Sequence, residues 1–165
     1  MNLIVHSDAS DLSAANSRSR AGGYFFLDKH TNHPDAKTFT NAPVHVECKI
    51  MKNVLASAME AEMGVLFLNC QQAKILRTTL TELGHPQSAT NIVTYNETAN
   101  NNIINGNSKQ RRTKAMDMTF NWVVDRQTRS HFRVTWRPGK GNLADYFTKH
   151  HSTVHHKRLH TTYLT

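Results

Sequence analysis

Residues 44–50 read VHVECKI and residues 58–84 read AMEAEMGVLFLNCQQAKILRTTLTELG, and the hydrophobic period of the chain changes between these two stretches. In the first stretch apolar and polar residues alternate, which is the period of a β-strand with one buried face. In the second, apolar residues recur three and four positions apart, which predicts a long amphipathic helix. This helix is predicted to stop at Gly84, just before Pro86. A strand followed by a long helix is therefore the predicted centre of the fold.

Two further strands are predicted on the amino-terminal side of this centre. Residues 3–5 are a short apolar run leading into Ser7 and Asp8, which suits a buried strand that delivers a carboxylate where it ends. Residues 21–27, AGGYFFL, predict a second strand. Three successive strands favour an antiparallel meander.

Strands and helices alternate on the carboxyl-terminal side. The predicted elements are a strand at 92–95, a weak asparagine-rich helix at 100–107, a helix at 115–124, a strand at 132–136 and a helix at 143–147 capped by Asn142. The last two strands need helical crossovers, so the order predicts an α/β fold. Its sheet is five-stranded and mixed, with three antiparallel strands, then two parallel strands, and flanking helices. We expect one domain over residues 1–150 and a polar, histidine-rich tail at 151–165.

The charge of the chain favours an anionic partner. Lysine and arginine number 20 against 12 aspartate and glutamate residues, a formal net charge of +8. Much of the excess lies between Lys109 and Lys140, where only Asp117 and Asp125 are acidic. A block of one sign indicates either a phosphate-contacting surface or a solvated basic face.

Cysteine usage and apolar stretches limit the classes of protein that the chain can belong to. Cys48 and Cys70 have no paired spacing, which argues against a disulfide scaffold or a CxxC zinc site. We expect both cysteines, together with Trp122 and Trp136, to lie in the core. The chain shows no signal-peptide pattern at its start and no apolar stretch of membrane-spanning length. We therefore expect a reducing intracellular location, without membrane contact.

Carboxylates from distant elements are the candidates for chemistry. Asp8 follows a predicted strand, Glu60 and Glu62 begin the long helix, and Asp145 begins the last helix. Converging carboxylates can hold two divalent ions that stabilise the attacking and leaving oxygens in phosphodiester hydrolysis. Acids in the first turn of a helix are also common for electrostatic reasons, so spacing alone does not decide their role.

Five short segments stand in order along the chain: SDA at 7–9, SAMEAE at 57–62, KAMDM at 114–118, WRPG at 136–139 and NLADYFTK at 142–149. These segments resemble motifs of the ribonuclease H domains of copia-type LTR retrotransposons. Together they extend over most of the chain.

The resemblance implies a ribonuclease H fold and cleavage of the RNA strand of RNA/DNA hybrids with Mg²⁺ or Mn²⁺, two ions in an active form. By position, Asp8 matches the first catalytic carboxylate, Glu62 the second and Asp145 the last, with Glu60 as the alternative second ligand. The resemblance also implies contacts to nucleic-acid phosphates and a reverse transcriptase domain upstream in the same polyprotein. We assign the phosphate contacts to Lys109, Arg111, Arg112, Lys114, Arg137 and Lys140.

One position departs from the family pattern. Counted without gaps, Asn96 stands where the family has its remaining catalytic aspartate; a one-residue slip would put Tyr95 there, so no aspartate is present either way. Asparagine offers a metal only one neutral oxygen. Impaired or absent cleavage is therefore expected. The alternative is a non-catalytic module that binds RNA/DNA hybrids and keeps the fold. An integrase-like relative would share the sheet and the acids, but the closing segment at 142–149 argues against it.

Overall fold

The computed structural model describes residues 1–28, 42–52, 55, 57–105 and 114–163. The strands are β1 (Asn2–Ala14), β2 (Arg18–Asp28), β3 (His45–Ile50), β4 (Thr90–Thr94) and β5 (Phe132–Trp136). The helices are α1 (Ala58–Glu82), α2 (Glu97–Asn105), α3 (Lys114–Thr128), α4 (Asp145–Thr148) and α5 (Thr153–Tyr163). A short 3₁₀ turn joins the first two strands.

The described strands form one mixed sheet in the order β3-β2-β1-β4-β5. The first three strands pair antiparallel, β4 runs parallel to β1, and β5 runs parallel to β4. The predicted α/β fold, with its three antiparallel and two parallel strands, is confirmed. Because β1, β4 and β5 run in one direction, their carboxyl ends share one edge of the sheet, which we call the carboxyl edge. The opposite side is the amino edge.

Helices cover both faces of the sheet. On one face, α1 and α3 pack over a core that includes Phe25, Leu66 and Phe120. The hydroxyl of Ser57 caps α1 by accepting the Glu60 N–H. On the other face, Tyr24 and Phe26 pack with residues of the closing segment, including Phe147, and with Tyr163 of α5. The predicted stop of α1 is confirmed, since Gly84 adopts the left-handed backbone (φ 86°) that favours glycine.

A buried polar contact fixes α1 against the sheet. The Asn69 Nδ2 donates to the Ser7 hydroxyl at 2.9 Å and to the Gly22 carbonyl at 3.0 Å. A Cβ atom at Gly23 would overlap the Asn69 Oδ1, so the strand residue facing this amide has to be glycine. The contact ties the helix to β1 directly beside Asp8.

Three core predictions are wrong. Cys48 is exposed and donates to the Phe147 carbonyl, whereas Cys70 is buried as expected. The face of β3 that was predicted to be buried is exposed to solvent at the end of the strand, where Ile50 is 49% exposed. The reason is that β3 is an outer strand of the sheet. Trp136 is 40% exposed, since it ends β5, which is the other outer strand of the sheet. Trp122 packs against the core as predicted.

The tail contains a helix that the sequence pattern did not predict. α5 packs through Tyr163, whose hydroxyl donates to the Leu143 carbonyl at 2.8 Å and whose ring stacks on Tyr146. Where the chain is described, none of the helices is both long and apolar enough to cross a membrane.

Candidate active site

Asp8 is the centre of a polar cluster at the carboxyl edge. It lies on β1, is 7% exposed, and accepts hydrogen bonds from the Asn142 Nδ2 at 2.8 Å and from the Thr148 hydroxyl. Burial raises the pKa of Asp8, and the nearby Asp145 raises it further. The bonds from Thr148 and Asn142 and the charge of Lys149 act in the opposite direction. Asp8 is therefore a buried carboxylate held in place by donors from the closing segment.

Glu62 lies beside Asp8 in the first turns of α1. It is 9% exposed, and burial, followed by the charge of Asp8, raises its pKa to about 8. The Ala9 N–H donates to its carboxylate, but among the described residues its Oε2 has no hydrogen-bond partner. The alternative ligand, Glu60, is partly exposed on the capped first turn. The structure therefore brings Glu62 to Asp8.

Asp145, the first residue of α4, completes the group of acids. It lies near enough to Asp8 to raise the pKa of that carboxyl. Its own carboxylate is bound by the Lys149 ammonium one helical turn later. The bond to Asp145 raises the pKa of Lys149; burial opposes this, and the charges of Asp8 and Glu62 raise it further. One ammonium group is thus the close neighbour of three carboxylates.

Asn96 stands at the carboxyl end of β4, the strand next to β1. Its Oδ1 accepts the Ala99 N–H at 2.9 Å, so the side chain serves as the N-cap of α2. The side-chain oxygen of Asn96 is therefore used to start a helix.

A buried histidine joins the same edge to the closing segment. The His6 Nδ1 accepts from the Leu143 N–H at 3.3 Å and lies 3.0 Å from the Tyr95 hydroxyl oxygen. Burial, and secondarily the charge of Arg137, lowers the pKa of His6 to about 4. The imidazole is neutral at physiological pH and acts as an acceptor that fixes the segment carrying Asp145.

The predicted phosphate-contacting residues are placed only in part. Arg137 is half-buried beside His6 and Tyr95, and Lys140 is exposed in the loop that follows, so both lie at the carboxyl edge. Lys114 begins α3. Lys109, Arg111 and Arg112 lie outside the described residues.

The donor set suits a hard divalent cation, although the carboxylates are not arranged around one. Carboxylate oxygens are the ligands that Mg²⁺ and Mn²⁺ prefer, and the unpartnered Oε2 of buried Glu62 beside Asp8 is an oxygen of that kind. Within the described ranges, no three His, Cys, Asp or Glu residues are grouped closely enough to hold a metal ion. The Asp145 carboxylate forms an ion pair with the Lys149 ammonium.

Sequence reasoning missed the supporting residues of the site. Asn142 does not cap α4; its Oδ1 accepts the Ala144 N–H ahead of the helix, and its amide holds Asp8. Thr148 and Lys149 belong to the NLADYFTK segment, but the segment alone does not indicate that they contact Asp8 and Asp145. Their spacing of three and four residues from Asp145 was an available signal, since such residues share one face of a helix.

Comparison with solved structures identifies the fold. The chain is similar to the N-terminal RNase H domain of rv2228c from Mycobacterium tuberculosis, with TM-score 0.57, 14% identity, and 89% of this chain and 90% of that chain covered. It is similar to LC11-RNase H1 in complex with an RNA/DNA hybrid, with TM-score 0.58, 12% identity and 88% and 93% covered. It also resembles part of the foamy viral protease-reverse transcriptase in complex with an RNA/DNA hybrid, with TM-score 0.55, 16% identity and 88% and 19% covered.

Sequence comparison adds no closer relationship, since no protein-family model and no curated protein matches the chain. The element order, the mixed sheet and the three structural neighbours agree. The chain has a ribonuclease H fold.

Proposed function

We propose that the chain is a ribonuclease H-type nuclease domain that binds RNA/DNA hybrids and whose ancestral activity is hydrolysis of the RNA strand. The observation that carries this proposal is the buried pair Asp8 and Glu62, with Asp145 nearby, at the carboxyl edge of this fold. Burying two neighbouring acids costs stability, because each is forced towards its neutral form. Such a cost is typical of functional sites. Neighbours of the same fold that are complexed with RNA/DNA hybrids support this choice of substrate.

Asp8, Glu62 and Asp145 are the residues that would hold Mg²⁺ or Mn²⁺. Bound divalent ions supply Lewis-acid stabilisation of the attacking and leaving oxygens in phosphodiester hydrolysis. Asn142 and Thr148 orient Asp8, while Lys149 pairs with the Oδ1 of Asp145 and balances the charge of the acids. Arg137 and Lys140 are placed to contact phosphates of the hybrid from the same edge.

The finer identity is also part of this proposal. The sequence segments favour the ribonuclease H domain of a copia-type retrotransposon polyprotein, with a reverse transcriptase upstream and an intracellular location. The foamy viral neighbour, a protease-reverse transcriptase, supports that context.

We further propose that cleavage is impaired as the sequence stands. Asn96 has replaced a carboxylate, and its single side-chain oxygen already caps α2. The same observation favours the second candidate function, a hybrid-binding module without catalysis. Asn96 still caps α2 and so keeps the fold, but it does not provide a carboxylate ligand.

The test is Asn96→Asp. Aspartate caps helices as well as asparagine does, so this change adds a carboxylate without removing the acceptor for the Ala99 N–H. Asn96→Ser is the matched control, since it keeps a capping oxygen without a charge. A labelled RNA/DNA hybrid is incubated with each protein in Mg²⁺ or Mn²⁺, and Asn96→Asp/Asp8→Asn reports contaminating nuclease.

We expect the Asn96→Asp protein to cleave the hybrid at least 100-fold faster than the other proteins, on the order of one lost catalytic interaction. Equal cleavage by the unaltered chain would refute impairment and leave the nuclease assignment standing. Binding without cleavage by every variant would instead establish the binding module.

A further inference from the structure

A second polar pocket lies at the amino edge of the sheet, at the opposite end of α1 from Glu62. It has a volume of about 390 Å³ and is lined by Lys74, Arg77, Thr78, Thr81, Glu82 and His131. Fifteen residues of α1 separate Glu62 from Arg77, which corresponds to about 22 Å along the helix axis. The pocket is therefore separate from the carboxylate cluster.

Cations dominate this pocket and its rim. Lys74 and Arg77 lie on α1, while Arg126 and Arg129 lie near the end of α3. Lys74 and Arg77 line the pocket together with His131, and the His131 N–H donates to the Arg126 carbonyl at 3.0 Å. Burial and the charges of these four residues lower the pKa of His131. In the part of the chain that the structure describes, two carboxylates oppose them: Glu82 in the lining, and Asp125, which Arg129 at 2.9 Å and Arg126 at 3.8 Å share.

Arg77 is held rigidly in the wall of the pocket. Its guanidinium donates to the Gln87 and Ser88 carbonyls and to the Thr90 hydroxyl, which fixes it between α1 and the start of β4. These neutral acceptors take three of its five N–H donors and do not cancel its charge. Neither Arg77 nor Lys74 forms an ion pair with any residue in the described ranges. A partly buried, uncompensated cation in a concave wall favours an anion there.

We propose that this amino-edge pocket binds a backbone phosphate of a nucleic acid, with Lys74, Arg77 and His131 as the contacting residues. Phosphate fits the donors present: an arginine fork, a lysine ammonium and an imidazole around one concavity. A nucleic-acid backbone is favoured over an isolated anion because Arg126 and Arg129 extend the positive surface beyond the pocket. The proposal does not depend on catalysis or on metal binding at the carboxyl edge.

The first experiment observes His131 directly. The imidazole signals of the full chain are followed by NMR, with His131→Gln providing the assignment, while inorganic phosphate or a short single-stranded oligodeoxynucleotide is added. We expect the oligonucleotide to shift the His131 signal at lower concentration than inorganic phosphate does, and both to raise its pKa, since a bound anion favours the protonated ring.

The second experiment measures how oligonucleotide affinity depends on salt. Removing one lysine–phosphate contact lowers the slope of log affinity against log salt by about 1. We therefore expect Lys74→Gln to lower the slope by this amount. Lys157→Gln removes the same charge from an exposed position on α5 and should leave the slope unchanged.

Two results would overturn the proposal. One is a His131 signal that does not respond to the oligonucleotide, combined with equal slopes for Lys74→Gln and Lys157→Gln. The other is poly-glutamate shifting His131 at concentrations as low as the oligonucleotide does, which would assign the pocket to an acidic protein surface. Neither result would bear on the hybrid-cleavage assay at the carboxyl edge.

Discussion

The two ends of α1 treat charge in opposite ways. At its beginning, Glu62 is buried against Asp8, and the single ammonium of Lys149 stands among the acids. At its end, Lys74 is exposed, Arg129 is exposed beside Asp125, and Lys74 and Arg77 line one pocket. Like charges in water cost little, whereas like charges in the interior shift their pKa values.

The contrast separates effects on stability from effects on binding. Changes to the buried acids should alter the free energy of unfolding and its pH dependence, because water does not replace a hydrogen bond that is lost in the interior. Changes to the exposed cations should leave folding almost unaltered and act on polyanion affinity. Three substitutions test this separation.

Glu62→Gln should have the largest effect. The folded protein holds the pKa of Glu62 at about 8, above its ordinary value near 4.5. The stability that comes from the neutral carboxyl is complete below about 4.5 and is lost as pH rises through about 8. In the absence of divalent metal, glutamine should therefore stabilise the protein by about 2–4 kcal/mol at pH 9 and by nothing at pH 4. Urea denaturation at both pH values measures this, and a difference independent of pH would contradict it.

Thr148→Val should have the next largest effect. It removes the hydroxyl that donates to buried Asp8 while it keeps the shape of the side chain. We expect a loss of about 1–3 kcal/mol at pH 7, the cost of leaving a buried acceptor without one of its donors. Thr148→Ser retains the hydroxyl and is the control in the same denaturation series. Equal losses for valine and serine would show that packing, and not the bond to Asp8, is what Thr148 contributes.

Arg129→Gln should have the smallest effect on folding. Its pair with Asp125 joins two exposed side chains one helical turn apart. Such pairs contribute about 0.3–0.5 kcal/mol, and salt screens them. We expect a change of that size, equal at pH 5 and pH 9. A loss above about 1 kcal/mol would mean that the basic end is part of the folding core and that the two ends do not differ as described.

The sequence was sufficient for the fold and for part of the candidate site. Period-2 and period-3.6 patterns located the strands and α1, and the parallel strands brought the chain near Asp8 and Asp145 to one edge. The pattern failed where an element lies at the border of the sheet. Alternation in β3 shows that one face is apolar, but it does not show whether anything covers Ile50.

The contacts around Asp8 were out of reach for a different reason. Asn142 and Thr148 meet Asp8 from more than 130 positions away in the chain, and only the closed tertiary structure brings them together. The same holds for α5, whose polar sequence predicted a tail but whose Tyr163 anchors it on Tyr24 and Phe147. The amino-edge pocket was missed because His131, which precedes β5, meets Lys74 and Arg77 of α1 only in the folded chain.

The hydrogen bonds of the Asn69 amide limit the position that α1 can take on the sheet. It lies seven residues after Glu62, two turns along the same side of α1, and bonds to the neighbour of Asp8. It therefore determines how far α1 can slide along β1, and with it the separation of the two acids. A substitution at Asn69 or Gly23 would change the separation of Asp8 and Glu62 from a position that touches neither carboxylate.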